Sequence, residues 1–199
     1  MTFRANRGFS LLELALVVTI VFILVALAVP SMITQVNAVR IHYSATDLSG
    51  LLQRMRIEAV RKNSFYSVQG VAGPPEMEQV VNSAGAVVNT IPPAQMGQSV
   101  NVFYGTGSGA PGEAAFVTGL GFPSGVAAAG GGSPSFDARG LPCIANGGNT
   151  CPRVFGQGYV FFLSGTSAGN GAQGWAAVVV TPSGRVEVWS YTGSAWVQR

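Results

Sequence analysis

The chain has 199 residues, which suffices for one globular domain plus an appendage and is tight for two large domains. Only 10% of the residues are charged, against roughly 25% in average soluble proteins, and 27 glycines with 11 prolines indicate a β-rich body with many turns. The net charge of +3 depends on Arg4 and Arg7, because the rest of the chain is nearly neutral, and this argues against a broad surface for nucleic acid.

The apolar stretch "GFSLLELALVVTIVFILVALAVP", residues 8–30, is the strongest signal in the chain, and Glu13 is its only charged residue. A helix from Phe9 to Val29, at about 1.5 Å per residue, would span roughly the 30 Å of a bilayer core. Basic residues precede the stretch, which predicts a cytoplasmic amino terminus and an exported remainder. An ordinary signal peptide has a shorter apolar core followed by its cleavage site, whereas here Gly8 comes before the core.

Glu13 requires an explanation, because a carboxylate inside a membrane helix costs on the order of 2.5 to 3.5 kcal/mol, less near an end. Cleavage after Gly8 would free the amine of Phe9 at nearly the same depth. A neighbouring subunit shifted along the helix axis could then present its amine to this carboxylate. The alternative is that Glu13 simply extends toward the headgroups.

These residues resemble the class III signal of type IV prepilins and type II secretion pseudopilins: a glycine, a phenylalanine, an apolar run and a glutamate fifth in the mature chain. The resemblance, tight only over residues 1–30, implies cleavage between Gly8 and Phe9 by a prepilin peptidase. It also implies methylation of the Phe9 amine by the same enzyme and an assembly role for Glu13. The implied partners are other pilins or pseudopilins bound through the amino-terminal helix, the peptidase and inner-membrane lipid, with no cofactor.

The expected fold is therefore an α+β, type IV pilin-like fold, in which a long amino-terminal helix, first membrane-spanning and then amphipathic, packs on an antiparallel β-sheet head. The predicted segments are a leader (1–8), a transmembrane and assembly helix (9–30), its amphipathic continuation (31–63) and the head (64–199). The implied location is the bacterial inner membrane, single-pass with a cytoplasmic amino terminus and a periplasmic head, and later a pilus or pseudopilus. Apolar residues at helical spacing support the continuation: Leu48, Leu51, Leu52, Met55 and Ala59.

Basic side chains cluster toward the end of the predicted helix, at Arg54, Arg56, Arg61 and Lys62. Cations there are favoured by the negative pole of the helix dipole, by some tenths of a kcal/mol each. An anion-binding role is the alternative interpretation.

The head is expected to consist of short strands, because β-branched and aromatic runs alternate with glycine and proline. Trp175–Tyr191 is predicted to be a hairpin with its turn in "TPSGR". The glycine-rich stretches 105–112 and 119–134 are expected to be loops. The predicted strands are 65–71, 100–104, 114–118, 159–164, 175–181, 185–191 and 195–198.

Cys143 and Cys151 flank "IANGGNT". In an exported domain, an even count of cysteines this close in sequence predicts one disulfide-closed loop. A zinc site would need two more ligands, and the chain has one histidine, so no metal site is expected.

Two further segments, "FDARGLPC" (136–143) and "VVVTPSGRVEVW" (178–189), resemble elements of the GspH/FimT group of pseudopilins and minor pilins. Some members that resemble FimT are minor pilins for DNA uptake, whose terminal G-R-x-R-type motif contacts phosphate. Gly184 and Arg185 match that motif, but Glu187 stands in place of the second arginine, and an acid there repels the DNA backbone. Arg185 is therefore a possible DNA contact, and DNA-binding for natural transformation is the alternative function.

An enzyme is not expected. "GTSAG" (165–169) fits the G-x-S-x-G nucleophile elbow, but that motif needs a strand-to-helix turn and a histidine base. The chain's one histidine, His42, falls on the predicted helix, far from this motif in sequence. We therefore expect no catalytic residues and a structural subunit that serves in a type IV pilus or in protein secretion through a type II secretion system.

Overall fold

The computed structural model describes residues 11–71, 77–90, 100–127, 133–145, 150–167 and 171–199. The chain forms two compact units, Met1–Val36 and Asn37–Arg199. The first unit contains the start of helix α1, which runs over Leu11–Lys62. The second contains the rest of α1 and all the other elements described below.

The described strands form two antiparallel sheets of five strands each. The first sheet has the order β3-β2-β1-β5-β6 and the second has the order β10-β9-β8-β7-β4. A short helix, α2 (Glu113–Gly119), precedes β5. The strands are β1 (Tyr66–Val71), β2 (Met77–Asn82), β3 (Val87–Thr90), β4 (Val100–Tyr104), β5 (Ser133–Phe136), β6 (Pro142–Ala145), β7 (Tyr159–Ser167), β8 (Gly171–Val180), β9 (Val186–Tyr191) and β10 (Trp196–Gln198).

The carboxyl-terminal half of α1 packs on the main core through one apolar stripe. Its buried residues recur at intervals of three or four, which places them on one face of a helix. The stripe meets inner-face residues from both sheets, including Val68, Phe136 and Val178. The residues of this stripe are Ile41, Ala45, Leu48, Leu52, Met55 and Ala59, and Leu51 is buried beside them.

Helix α1 ends because Asn63 adopts a left-handed conformation, with φ of 48°. The Ser64 amide donates to the Ala59 carbonyl at 3.1 Å, which satisfies an acceptor of the last turn. Asparagine tolerates this conformation better than most residues, so the sequence supplies its own helix stop.

The second sheet is buried on both faces at its centre. Val178 and Val180 face the main core, whereas Ala177 and Val179 face a second apolar cluster that includes Phe116 of α2. Strands covered on both sides are expected to be nearly continuous hydrophobic runs, and "WAAVVV" fits that pattern.

The membrane-spanning part of the predicted fold is wrong. Among the residues that the structure describes, no helix is both long enough and apolar enough to cross a bilayer. This finding overturns the transmembrane assignment of 9–30 and the single-pass inner-membrane location.

The head also differs from the single antiparallel sheet that was predicted. Strand β1 pairs with β2 and β5, whereas β4 pairs with β7, so the early strands divide between two sheets. The sequence pattern identifies apolar strand faces but carries no signal for the pairing partner, because both sheets present the same kind of face to α1.

Segment 114–118, predicted as a strand, is part of helix α2. The carboxylate of Glu113 accepts hydrogen bonds from the amides of Gly107 and Gly109 and from the Ser108 hydroxyl at 2.5 to 3.1 Å. These bonds fix the preceding loop. Alanines in the first turn then favour helix over strand.

The hairpin predicted between Trp175 and Tyr191 is confirmed by the antiparallel pairing of β8 with β9. The predicted strand at 100–104 is also confirmed, with matching bounds. Residues 105–112 are a loop, as predicted, whereas the last two residues of the predicted loop 119–134 are the first two residues of β5.

Candidate assembly site

Glu13 lies in the first turn of α1, which begins at Leu11 in the described part of the chain. A carboxylate in the first turn interacts favourably with the positive end of the helix dipole. Gly8 and Phe9, the predicted cleavage and methylation residues, lie outside the described residues, and their roles stay predictions from sequence.

The surface of α1 next to Glu13 is apolar and exposed. We call the stretch from Leu11 to Val25 the assembly segment, and its large apolar side chains are between 45% and 85% exposed. Contiguous apolar patches above a few hundred Å² are rare on monomeric proteins and indicate a binding surface. The exposed residues are Leu11, Leu12, Leu14, Leu16, Val17, Val18, Ile20, Val21, Phe22, Ile23, Leu24 and Val25.

The two short segments that resemble the GspH/FimT group meet at their glycines. A Cβ placed on Gly184, in the β8–β9 turn, would lie 2.4 Å from the Gly140 carbonyl oxygen. A Cβ on Gly140 would lie 3.1 Å from side-chain atoms of Arg56 and Val60 on α1. Both glycines have positive φ, 73° and 81°. Their positions therefore require glycine for backbone conformation and for space, which is a structural role.

Two side chains of the predicted basic cluster at the end of α1 make different contacts within the chain, one an ion pair and the other a packing contact. Arg61 binds Glu58 one turn earlier, at 2.8 Å. Arg56 packs along Gly140 and Gly184, with its side chain 3.1 Å and 3.3 Å from the Cβ positions of those glycines. Two of the four basic side chains, Arg56 and Arg61, therefore make contacts within their own chain.

Arg185 follows Gly184 and immediately precedes β9, and its side chain is 70% exposed. Its Nε lies 3.3 Å from a carboxylate oxygen of Glu187, whose side chain is only 14% exposed. Glu187, which replaces the second arginine of the DNA-uptake motif, thus forms an ion pair with Arg185, the arginine that matches the motif. The pair lowers the attraction that Arg185 could exert on a phosphate backbone.

The predicted disulfide between Cys143 and Cys151 is confirmed, with a Cα–Cα distance of 5.4 Å. Cys143 is buried in β6, and its carbonyl accepts a hydrogen bond from the Tyr159 hydroxyl. Burial raises the pKa of Tyr159, so the hydroxyl keeps its proton and remains a donor. The disulfide thereby fastens the loop to β6 of the first sheet, and the Tyr159 hydrogen bond joins β6 to β7 of the second sheet.

The "GTSAG" motif does not lie at a strand-to-helix turn. Ser167 is the last residue of β7 and pairs with Gly171 of β8, so another strand follows. His42 lies on α1, where burial and then the charge of Arg199 lower its pKa. The described geometry lacks the local turn that exposes a nucleophile in that motif.

An aromatic cleft beside α2 escaped the sequence analysis. It lies between α2 and the β9–β10 hairpin and has a volume of about 360 Å³. Trp196 stacks on Phe116 with ring centroids 4.7 Å apart, and its indole N–H donates to the Pro111 carbonyl at 2.9 Å. The detectable signal was the pair of tryptophans around the turn "YTGSA", because strands of a tight hairpin bring such residues together.

No family model matches the chain, and no curated protein or solved structure is significantly similar to it. The functional proposal therefore depends on the residues and contacts described above, chiefly the exposed assembly segment and Glu13 at its start.

Proposed function

We propose that the chain is a structural minor pilin or pseudopilin subunit, processed between Gly8 and Phe9, which assembles into a type IV pilus or a type II secretion pseudopilus. The observation that carries the proposal is the assembly segment, an exposed apolar helical surface with a carboxylate in its first turn. Its sequence context, glycine then phenylalanine before the apolar run, supports the same proposal.

Association of copies through this segment would remove its apolar side chains from water. Burial of one such side chain stabilises by about 1.5 to 3 kcal/mol, so burial of four or five contributes on the order of 6 to 15 kcal/mol before the entropy cost of association. The helices of neighbouring subunits, displaced along their axes, are suitable partners because they present the same apolar surface.

Burial of the segment would also take Glu13 out of water, and a buried carboxylate needs a cation. In the proposed polymer that cation is the Phe9 amine of a neighbouring subunit, freed by removal of the leader. Processing and assembly are thereby coupled, because the uncleaved chain has no amine at Phe9.

The processing step is tested by mass spectrometry of the chain co-expressed with a prepilin peptidase. We expect a mature protein that starts at Phe9 and carries one additional methyl group on its amine. Gly8→Leu is the control, and we expect it to block cleavage. Retention of Met1 in assembled material, or cleavage at another bond, would contradict the proposal.

The assembly step is tested with Glu13→Ala, measured as the fraction of chain recovered in polymer sheared from cells. We expect at least a tenfold loss relative to the unchanged chain, with normal leader removal. Glu58→Ala is a matched control, because Glu58 lies on the same helix and binds Arg61 of its own chain. Unchanged incorporation of the Glu13 variant would refute the charge-pairing role.

We do not extend the proposal to DNA uptake, because Glu187 already binds Arg185 at the position where a DNA-contacting motif would add a second arginine.

A further inference from the structure

The turn before β7 presents an exposed aromatic side chain on a fixed backbone. Phe155 is 84% exposed, and its neighbour Val154 is 47% exposed. The Phe155 carbonyl accepts a hydrogen bond from the Ser124 hydroxyl at 2.5 Å, and the Gly156 carbonyl accepts one from the Ser124 amide at 3.1 Å. We call Val154 and Phe155 the knob. Large exposed aromatic residues on rigid supports are typical anchors of protein interfaces.

The tryptophan side of the aromatic cleft lies toward the other end of the second sheet, whereas Leu120 on its α2 side comes four residues before Ser124, which holds the knob. The knob precedes Tyr159, which pairs with Val180, and Val180 in turn pairs with Val186 at the start of β9. The cleft includes Tyr191 and Trp196 at the far end of β9. Five residue steps along β9 separate these ends, about 16 Å at 3.3 Å per residue. Phe155 does not occupy its own chain's cleft, because a ring held there would be buried.

The cleft has room for a side chain, and neither the described lining of the cleft nor the knob carries a charge. The cleft volume of about 360 Å³ is at the low end of the roughly 300 to 1,000 Å³ of pockets that bind small ligands. None of the described side chains that line the cleft is charged, and the knob is uncharged as well. An aromatic ring is a suitable occupant, because Phe116, Trp189 and Trp196 offer faces and edges for ring packing.

We propose that Phe155 of one subunit inserts into the aromatic cleft of a second copy, beside α2 and the β9–β10 hairpin. The two surfaces are different parts of the molecule, so the contact is heterologous. Repetition of a heterologous contact that does not close gives a helical filament. The inference rests on the proposed function, because it describes how the heads of an assembled polymer contact one another.

The contact is too small to hold two heads together alone. One aromatic side chain buries about 150 to 250 Å², whereas a stable interface buries about 800 Å² on each partner. Assembly through the amino-terminal helices would raise the effective concentration of knob and cleft to the millimolar range, where a weak contact forms. The knob and cleft thus set the arrangement of the heads within a polymer whose affinity comes from the assembly segments.

The test uses the full chain in assembled material. The photo-reactive residue p-benzoylphenylalanine replaces Phe155. The polymer contains a mixture of unlabelled and ¹⁵N-labelled chains, and mass spectrometry identifies the cross-linked peptides. We expect adducts between differently labelled chains at α2 or at the segment 189–196. The same residue at Val87, a half-exposed position on the first sheet, is the control and should give no adduct at the cleft.

A second variant distinguishes the cleft from its surroundings. Gly119 lines the cleft, and a Cβ there meets nothing within 4 Å, so Gly119→Leu adds bulk at the edge of the cleft from a position whose backbone has space for a side chain. We expect it to reduce the adduct at least tenfold. Adducts within one chain, on another protein or on another face would overturn the proposal, as would an unchanged yield in the Gly119 variant.

The readout separates this inference from the proposed function. Polymer that begins with methylated Phe9 but gives no adduct at the cleft would refute the knob-and-cleft contact alone. Adducts at the cleft in chains that retain Met1 would refute the proposed processing and leave the contact standing. Neither processing nor adduct would refute both.

Discussion

Replacement of Gly184 by alanine tests the close contact between the two glycine motifs. The added methyl group would lie 2.4 Å from the Gly140 carbonyl oxygen. That oxygen cannot move away easily, because the turn around Gly140 is fixed by the Asp137 side chain, which accepts hydrogen bonds from the amides of Arg139 and Leu141 at 2.8 and 2.9 Å. We therefore expect a clear loss of stability.

The expected loss has two parts. A left-handed conformation costs a residue with a Cβ roughly 1 to 2 kcal/mol, and Gly184 has φ of 81°. Overpacking of a buried contact costs about 1 to 3 kcal/mol more. The free energy of unfolding should fall by about 2 to 5 kcal/mol in total, which corresponds to a melting temperature lower by roughly 4 to 20 °C for a domain of this size.

Gly193→Ala is the matched control. Gly193 also lies in a hairpin turn with positive φ, 96°, but a Cβ there meets nothing within 4 Å. This variant should lose only the conformational part, roughly 1 to 2 kcal/mol. The measurement is thermal unfolding of both variants and the unchanged chain under the same solution conditions. Equal losses in the two variants would refute the argument that Gly184 is required for space.

Three further predictions concern the disulfide between Cys143 and Cys151, the carboxylate of Glu113 and the affinity of the chain for DNA. The double variant Cys143→Ser, Cys151→Ser should have a free energy of unfolding about 2.5 kcal/mol lower, from loop entropy, as measured in denaturant. The unchanged chain with its disulfide reduced should lose the same amount, and a larger loss in the variant would contradict the entropic origin. Burial raises the pKa of Glu113, but its hydrogen bonds from Ser108, Gly107 and Gly109 outweigh this and lower the pKa below 4.5. Its contribution should therefore be present above pH 4.5 and disappear as the pH falls through the lowered pKa, so the stability difference from Glu113→Gln should vanish in acid. The chain should not shift DNA in a gel at low salt, and a shift abolished by Arg185→Ala would favour DNA uptake instead.

The features that could be predicted from sequence are those coded by local pattern. The β8–β9 hairpin follows from two β-rich runs around Pro182 and Gly184, and the disulfide follows from a short spacing between two cysteines. In both cases the residues that determine the structure are close together in the chain. No long-range pairing has to be guessed.

The features that sequence missed depend on contacts between distant segments. Strand β1 pairs with β5, across more than sixty residues of sequence, and this pairing separates the first sheet from the second. The sequence pattern predicts a strand at 114–118 rather than helix α2, because the helix depends on hydrogen bonds from the preceding loop to the Glu113 carboxylate. The aromatic cleft likewise needs Phe116 from α2 and Trp196 from the last strand.

In the proposed polymer, Glu13 determines register more than affinity. The apolar assembly segment attracts its copies at many offsets, because a sliding helix exchanges one apolar contact for another. A slide of one helical turn, about 5.4 Å, would move a neighbour's Phe9 amine out of hydrogen-bonding distance. A carboxylate left buried without its partner costs on the order of 3 to 5 kcal/mol, a preference of at least about 100-fold for the paired offset. One charged residue in an apolar helix is therefore sufficient to select one arrangement of subunits from many of similar apolar burial.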